Sequence, residues 1–471
     1  MPFVMPDWLK NLLPILLLLV VIGAVVSRLP KIDIGHSEAF KRRRFFNWFP
    51  LGMTYALLYF GRYNLSANAS ALDKLGLLTK AEYGNIDGWS SAVYGIAFLL
   101  NGPLTDRWGG RATILLASGG SALMNIALGL VLSRAQAGSL DHHTVVTSMT
   151  VLAAANMYFQ SFGAVSIVKV NAPWFHVRER GMLGGTFGIL ISLGLYFAYD
   201  WSRFVAKALG MTAAFYVPAI FLVAFFAIDA FIIRDTPSAA GYDDFDTADA
   251  SSGETGPPLG LLEVAKKMFS QKVIWIIVAI EFCSGFLRNA VMKWYLVFAD
   301  KTGVAKDFVA ANWGVVLCVA GITGGVFAGF ISDHVFDSRR GPVATVLYGG
   351  LVAGSLLALL TLGTVITGWS VVFMSLCVIG VHGMLSGTAS MDFGGKKNAG
   401  VATGVIDGFV YLGTATQSFL YGAILPEGEA AKNPANWSQW PIAMLPVTII
   451  GLLLATRVWN ARPSSKAAAA H

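Results

Sequence analysis

Apolar runs of 18 or more residues, separated by short polar turns, recur along nearly the whole chain. Each can cross a hydrocarbon layer roughly 30 Å thick as a helix. Backbone polar groups in lipid must be satisfied within the segment, which leaves the helix as the spanning element. Twelve spans fall near 46–68, 86–105, 111–133, 145–170, 182–205, 211–233, 273–299, 309–331, 342–366, 370–389, 399–422 and 439–460. A further apolar stretch, 9–26, precedes them and is followed by Arg28, Lys31 and the run Lys41-Arg42-Arg43-Arg44. A secretory signal places its basic residues before the apolar region and a small-residue cleavage site after it. The reversed order predicts a retained anchor helix with its N-terminus outside.

Composition agrees: 55% of residues are hydrophobic and 13% charged, against about a quarter charged in soluble domains. The expected fold is therefore an all-α integral membrane protein in a lipid bilayer. Lys and Arg concentrate in alternate loops, at Arg107, Arg111, Arg178, Arg180, Arg234, Lys266, Lys267, Lys272, Arg339, Arg340, Lys396 and Lys397 as well as in the 41–44 run. Short cytoplasmic loops carry such an excess, so the central linker and the C-terminus are expected in the cytoplasm, with the protein in a bacterial inner (plasma) membrane. The net charge of +7 is then a topology signal, and no nucleic-acid partner is expected. Cys283, Cys318 and Cys377 lie within spans, where free cysteine packs as a small hydrophobe. No metal-ligand spacing, cofactor motif or phosphate-cradling Gly-x-x-x-x-Gly-Lys sequence occurs, and no compact soluble region could house an enzyme.

Between Pro237 and Pro258 the chain is acidic and poor in aliphatic residues, the composition of a mobile linker. Six spans precede it and six follow. The organisation read from this is an N-terminal anchor and basic segment (1–44), a six-helix half (45–236), a linker (237–270), a second six-helix half (271–460) and a tail (461–471). Polar landmarks support a duplication. The loop Gly102-Pro-Leu-Thr-Asp106-Arg107-Trp-Gly109-Gly-Arg111 is echoed by Gly329-Phe-Ile-Ser-Asp333-His334 with Arg339-Arg340-Gly341, the two aspartates standing 227 positions apart. Arg62 interrupts the first span and Arg288 the seventh, 226 positions apart.

The Gly102 to Arg111 loop resembles the signature of the major facilitator superfamily, whose fold is two six-helix halves around a central cavity. The segments Leu58-Tyr-Phe-Gly-Arg62-Tyr-Asn64, Arg234-Asp-Thr-Pro-Ser-Ala-Ala-Gly241, Ser332-Asp333-His334 with Arg340-Gly341, and Lys396-Lys-Asn-Ala-Gly400 with Tyr411-Leu-Gly413 are similar to the organophosphate:phosphate antiporters. That resemblance covers 46–459. It implies a monomeric carrier that exchanges a phosphate ester for inorganic phosphate, with the two matching arginines binding the substrate phosphate.

Arginine within a span costs roughly 2.5 to 3.5 kcal/mol on insertion scales and stays charged. Two of them, one per half, call for anionic company, and the guanidinium fork suits phosphate or carboxylate. The alternative is that each pairs with a carboxylate and only holds helices together. Two arginines on the order of 8 Å apart would repel by about 2 kcal/mol at an effective dielectric of about 20. A bound phosphate reverses that sign, so an empty carrier should reorient roughly thirtyfold more slowly than a loaded one.

Lys169, Asp200, Asp229, Glu281, Lys293, Asp392 and Asp407 also fall in spans. Asp200, Asp229 and Asp392 read as structural. Lys293 and Asp407 are expected to neutralise each other beside the cavity. Glu281 stands seven residues before Arg288 and reads as interfacial. Tyr59, Tyr63, Tyr94, Trp294 and Tyr411, with Asn64, neighbour the charged positions and are candidates for the cavity wall, since tyrosine both packs and donates a hydrogen bond. Asp106, Arg107 and Arg111, repeated as Asp333 and Arg340, are candidates for a gating latch at the inward end of the helices.

The resemblance fails at three residues and at the added N-terminal helix (9–26). Phe98 and Ile191 stand where the glycerol-phosphate carriers have a lysine and a histidine, and Lys293 stands where they have an acidic residue. Two other readings remain open: a proton-coupled carrier of another organic anion, with Asp407 or Asp200 taking the proton, and a membrane sensor of sugar phosphates.

Overall fold

The computed structural model describes residues 35–176, 190–245, 247, 266, 270, 272–336 and 340–459. The anchor helix at 9–26, most of the linker and the tail lie outside the described residues. Every regular element among the described residues is helical, and seven helices are long and apolar enough to cross a membrane. Glu38–Ala67 and Lys80–Trp108 are not among those seven; they carry Arg62 and Asp87 among further polar side chains.

The predicted spans map onto the helices in order, and caps mark where several begin. Ser37 accepts from Phe40 N at 3.2 Å ahead of Glu38–Ala67, and Asp141 accepts from Thr144 N at 3.0 Å ahead of His142–Asn171. Both satisfy amides that the first helical turn leaves open. The fifth span is helical from residue 190, loosens into a π-helical turn at Phe197–Trp201 and continues as Ser202–Leu209.

Spans ten and eleven, expected as separate helices, run as one uninterrupted helical stretch of 60 residues, Val365–Ile424. No proline lies within it to mark a boundary. It still forms two arms. His382 lies 3.1 Å from Glu281, and a Cβ on Gly413 would fall 2.0 Å from the carbonyl oxygen of Phe282. In a straight helix those two positions would be about 46 Å apart, yet they touch consecutive residues, so the stretch doubles back between them. The side chains at 386–403 lie outside the described residues, and Asp392 with them.

The chain forms two compact units that cut across the sequence halves. One comprises Met1–Leu78, Thr105–Asp249 and Asn312–Ile322; the other comprises Thr79–Leu104, Ala250–Ala311 and Thr323–His471. In the second unit the helix of span two joins the helices of the second half, and small residues explain how. A Cβ on Gly84 would lie 2.6 Å from Gly422 Cα, and one on Gly95 would lie 2.8 Å from Gly408 O, the close backbone approach that small residues permit between membrane helices. Span seven meets span eleven more tightly still: a Cβ on Gly285 would fall 1.8 Å from Val410 O. Gly285→Ala is therefore expected to destabilise the protein by roughly 1–3 kcal/mol. Gly349→Ala, facing open space, is the control, and thermal unfolding in detergent compares the two.

Candidate functional site

In the first unit Arg62 is buried, with 6% of its surface exposed. Its Nε donates to Gln160 Oε1 at 2.8 Å, and its guanidinium lies 4.5 Å from the Tyr59 ring centroid and 5.9 Å from that of Tyr63. Gln160 is itself fixed, donating from Nε2 to Leu58 O at 3.0 Å. Asn125 and Asn156 both donate to Gly61 O, at 3.1 and 2.9 Å. Three amides thus staple the helical turn that leads into the arginine, and the Tyr63 ring stacks on Tyr199 with centroids 6.0 Å apart. Cation–π contacts of this kind are worth up to about 2 kcal/mol when desolvated, so the guanidinium plane is well held. Asn64, a candidate for the cavity wall, is occupied by helix packing. Its Nδ2 donates to Asn125 Oδ1 and Ala214 O at 2.8 and 3.1 Å, and its Oδ1 accepts from Leu65 N.

In the second unit Arg288 is half-buried, its guanidinium 5.2 Å from the Tyr411 ring. Tyr94 meets Tyr411 edge-on at 4.2 Å, and Phe98 stacks on it at 5.8 Å. Phe98 is thus part of an aromatic support under the Arg288 platform. Trp294 is fully buried between Tyr83 and Tyr421, so it packs helices together. Asp407 is half-buried.

Lys293 has a partner that sequence reasoning did not name. Its Nζ lies 2.5 Å from Asp87 Oδ1, and both residues are buried. Asp87 Oδ2 accepts from Ser418 Oγ at 2.5 Å and from Asn289 Nδ2 at 3.2 Å; Asn289 also donates to Gln417 and Ser418. The charge at 293 is compensated from span two, where Asp87 breaks an apolar run; that interruption was the available signal. Glu281 is fully buried, with Oε2 3.1 Å from His382 Nδ1, so its interfacial reading is corrected. Span ends read from hydropathy are uncertain by a few residues, and its partner His382 comes from span ten.

The loop signature acquires partners within the first unit. Asp106 Oδ1 lies 2.8 Å from Lys169 Nζ. Arg111 donates from its backbone N to Asp235 Oδ1 at 2.8 Å and from Nη2 to Ala230 O at 2.5 Å. Gly109, at φ +88°, makes room for the other Asp235 oxygen, which a Cβ would approach to 2.7 Å. Arg107 is exposed. The side chains of Asp333 and Arg340 lie outside the described residues. Asp200 accepts from the backbone N of Gly314 and Val315 at 2.8 and 3.1 Å, capping the helix Trp313–Val335. Asp229, fully buried, accepts from Thr54 Oγ1 at 2.6 Å. Both contacts are structural.

The model of the Major Facilitator Superfamily matches residues 51–417. Among curated proteins, the chain is 26% identical over 451 residues to a glycerol-3-phosphate transporter of Bacillus subtilis, covering 91% of this chain and 95% of that one. It is 25% identical to a probable hexose phosphate transport protein of Chlamydia trachomatis, covering 93% and 94%. It is also 24% identical to the membrane sensor protein UhpC of Salmonella typhimurium, covering 79% and 83%. Among solved structures, a bacterial homologue of the human lysosomal transporter Spinster, inward-facing and unoccupied, superimposes with a TM-score of 0.71 at 14% identity over 92% of this chain and 100% of that one, a likeness of fold.

Proposed function

Because this chain belongs to the Major Facilitator Superfamily, we propose that it is a secondary carrier that exchanges a phosphate ester for inorganic phosphate by alternating access. The observation that carries this reading is the matched pair of span arginines, Arg62 oriented by an amide and two tyrosine rings and Arg288 lying over Tyr411. A guanidinium held in a fixed plane is suited to meet two phosphate oxygens at once. In this reading Arg62 and Arg288 are the phosphate ligands, Tyr59, Tyr63 and Tyr411 orient them, Tyr94 backs Tyr411, and Asp407 borders the cavity. Lys293, Trp294 and Asn64 hold helices together. Asp106 and Arg111, through Lys169 and Asp235, form one latch, whose residue types recur in the second half at Asp333 and Arg340. The carrier acts as a monomer in a bacterial inner membrane, with the linker and C-terminus in the cytoplasm. The names of the glycerol-3-phosphate and hexose phosphate relatives support the substrate class.

Reconstitution into liposomes preloaded with inorganic phosphate tests this directly. Labelled phosphate should enter in exchange for the internal pool, and at least one ester from a panel of glycerol and hexose phosphates should compete. Equal entry into vesicles with an empty lumen, or indifference to every ester, would contradict the reading. A second reading, a sensor of sugar phosphates, is supported by the likeness to UhpC. It predicts saturable ester binding with no turnover in the same vesicles.

A further inference from the structure

The Arg234-Asp-Thr-Pro segment at the end of span six is only partly explained by packing. Asn47 brackets its backbone, accepting from Arg234 N at 2.8 Å and donating to Arg234 O at 3.1 Å, and Trp174 Nε1 donates to the same carbonyl at 3.0 Å. Asp235 serves Arg111, as described above. The Arg234 guanidinium does neither job: its Nη1 donates to the neighbouring Ile233 O at 2.7 Å. Beside it, Arg43 donates from Nη2 to Ile232 O at 2.7 Å and from Nη1 to Asn47 Oδ1 at 3.4 Å, and lies 5.4 Å from the Trp174 ring.

Burial, and after it the like charge of Arg234, push the Arg43 guanidinium below the ordinary arginine value. Among the described residues no carboxylate forms an ion pair with either arginine. Two cations brought together with only neutral acceptors attract an anion. They line a cavity of about 450 Å³ with Phe46, Phe231, Ile232, Ala239 and Ala240. The apolar walls are open: Phe231 is 80% exposed and Phe46 46%. The cavity lies where span one begins and span six ends.

We propose that this cleft binds an anionic glycerophospholipid, with its phosphodiester between Arg43 and Arg234 and an acyl chain along Phe46 and Phe231. A soluble phosphate would leave the phenyl walls unused. A zwitterionic lipid would bring its own cation toward two arginines. A net-negative headgroup satisfies the charge and the apolar wall together, as basic clefts between membrane helices do for anionic lipids.

The test uses the full chain in detergent, titrated with phosphatidylglycerol or phosphatidylcholine of matched acyl chains, with bound lipids counted by native mass spectrometry. Phosphatidylglycerol should be retained preferentially. Arg234→Gln, which keeps the backbone contacts to Asn47 and Trp174, should weaken that retention about fivefold, the effect of one basic residue near an anionic surface. Phe231→Ser should weaken retention of phosphatidylglycerol while leaving the charges in place. Equal retention of the two lipids, or retention unchanged by Arg234→Gln, would overturn the proposal. So would displacement of the lipid by excess inorganic phosphate, which would mark the cleft as a soluble-anion site. Arg62→Lys should leave lipid retention intact, separating this site from the transport reading.

Discussion

Under the proposed exchange reading, Arg62→Lys is expected to lower phosphate exchange by roughly 100-fold while leaving the protein folded. Lysine keeps the charge, so a purely electrostatic role would survive the change. It loses the planar fork, the Nε donation to Gln160 at 2.8 Å and the broad face over Tyr59. Losing a hydrogen bond made by a charged group costs about 1.5–3 kcal/mol, and each 1.4 kcal/mol is about tenfold. Gln160→Ala removes only the orienting amide and should give a smaller loss, about tenfold by the same conversion. Counterflow in proteoliposomes at matched protein density measures both, with thermal unfolding as the folding control. Activity of Arg62→Lys within a few-fold of the parent would show that phosphate is not gripped there.

The second large effect concerns stability. Asp87→Asn leaves the Lys293 ammonium buried without its 2.5 Å partner, a change that costs roughly 3–5 kcal/mol when a buried ion pair loses one member. Asp87→Asn combined with Lys293→Met removes both charges and should recover most of the loss, because apolar replacement of a buried pair is often neutral. Thermal unfolding of the two single variants and the double variant forms a double-mutant cycle. Additive losses would mean that the pair is not coupled. The charge at 293 is thus answered from Asp87, 206 positions away in sequence.

The spans, the duplication and the two arginines were legible because hydrophobic runs and their polar interruptions are local signals. Partner identity was not. In a membrane bundle most helix faces are apolar, so periodicity says little about which face meets which neighbour. Lys293 and Asp407 are expected from sequence to neutralise each other beside the cavity; the structure places Asp87 against Lys293. Glu281 reads as interfacial because span ends are uncertain by a few residues; its burial against His382 follows from the tenth arm lying beside the seventh span. Asn64 stood within the family-like motif, yet its amide is occupied by Asn125 and Ala214, contacts that depend on helices 61 and 150 positions away. Gln160, Asn156 and Asn125 were visible as polar residues in apolar spans, but only tertiary structure shows that they converge on the turn bearing Arg62.

The account turns on where a phosphate group sits. An experimental structure of the protein with a bound phosphate ester should place phosphate oxygens within ~2.7–2.9 Å of guanidinium nitrogens of both Arg62 and Arg288. A phosphate that contacts neither, with both arginines instead closed on carboxylates, would contradict it.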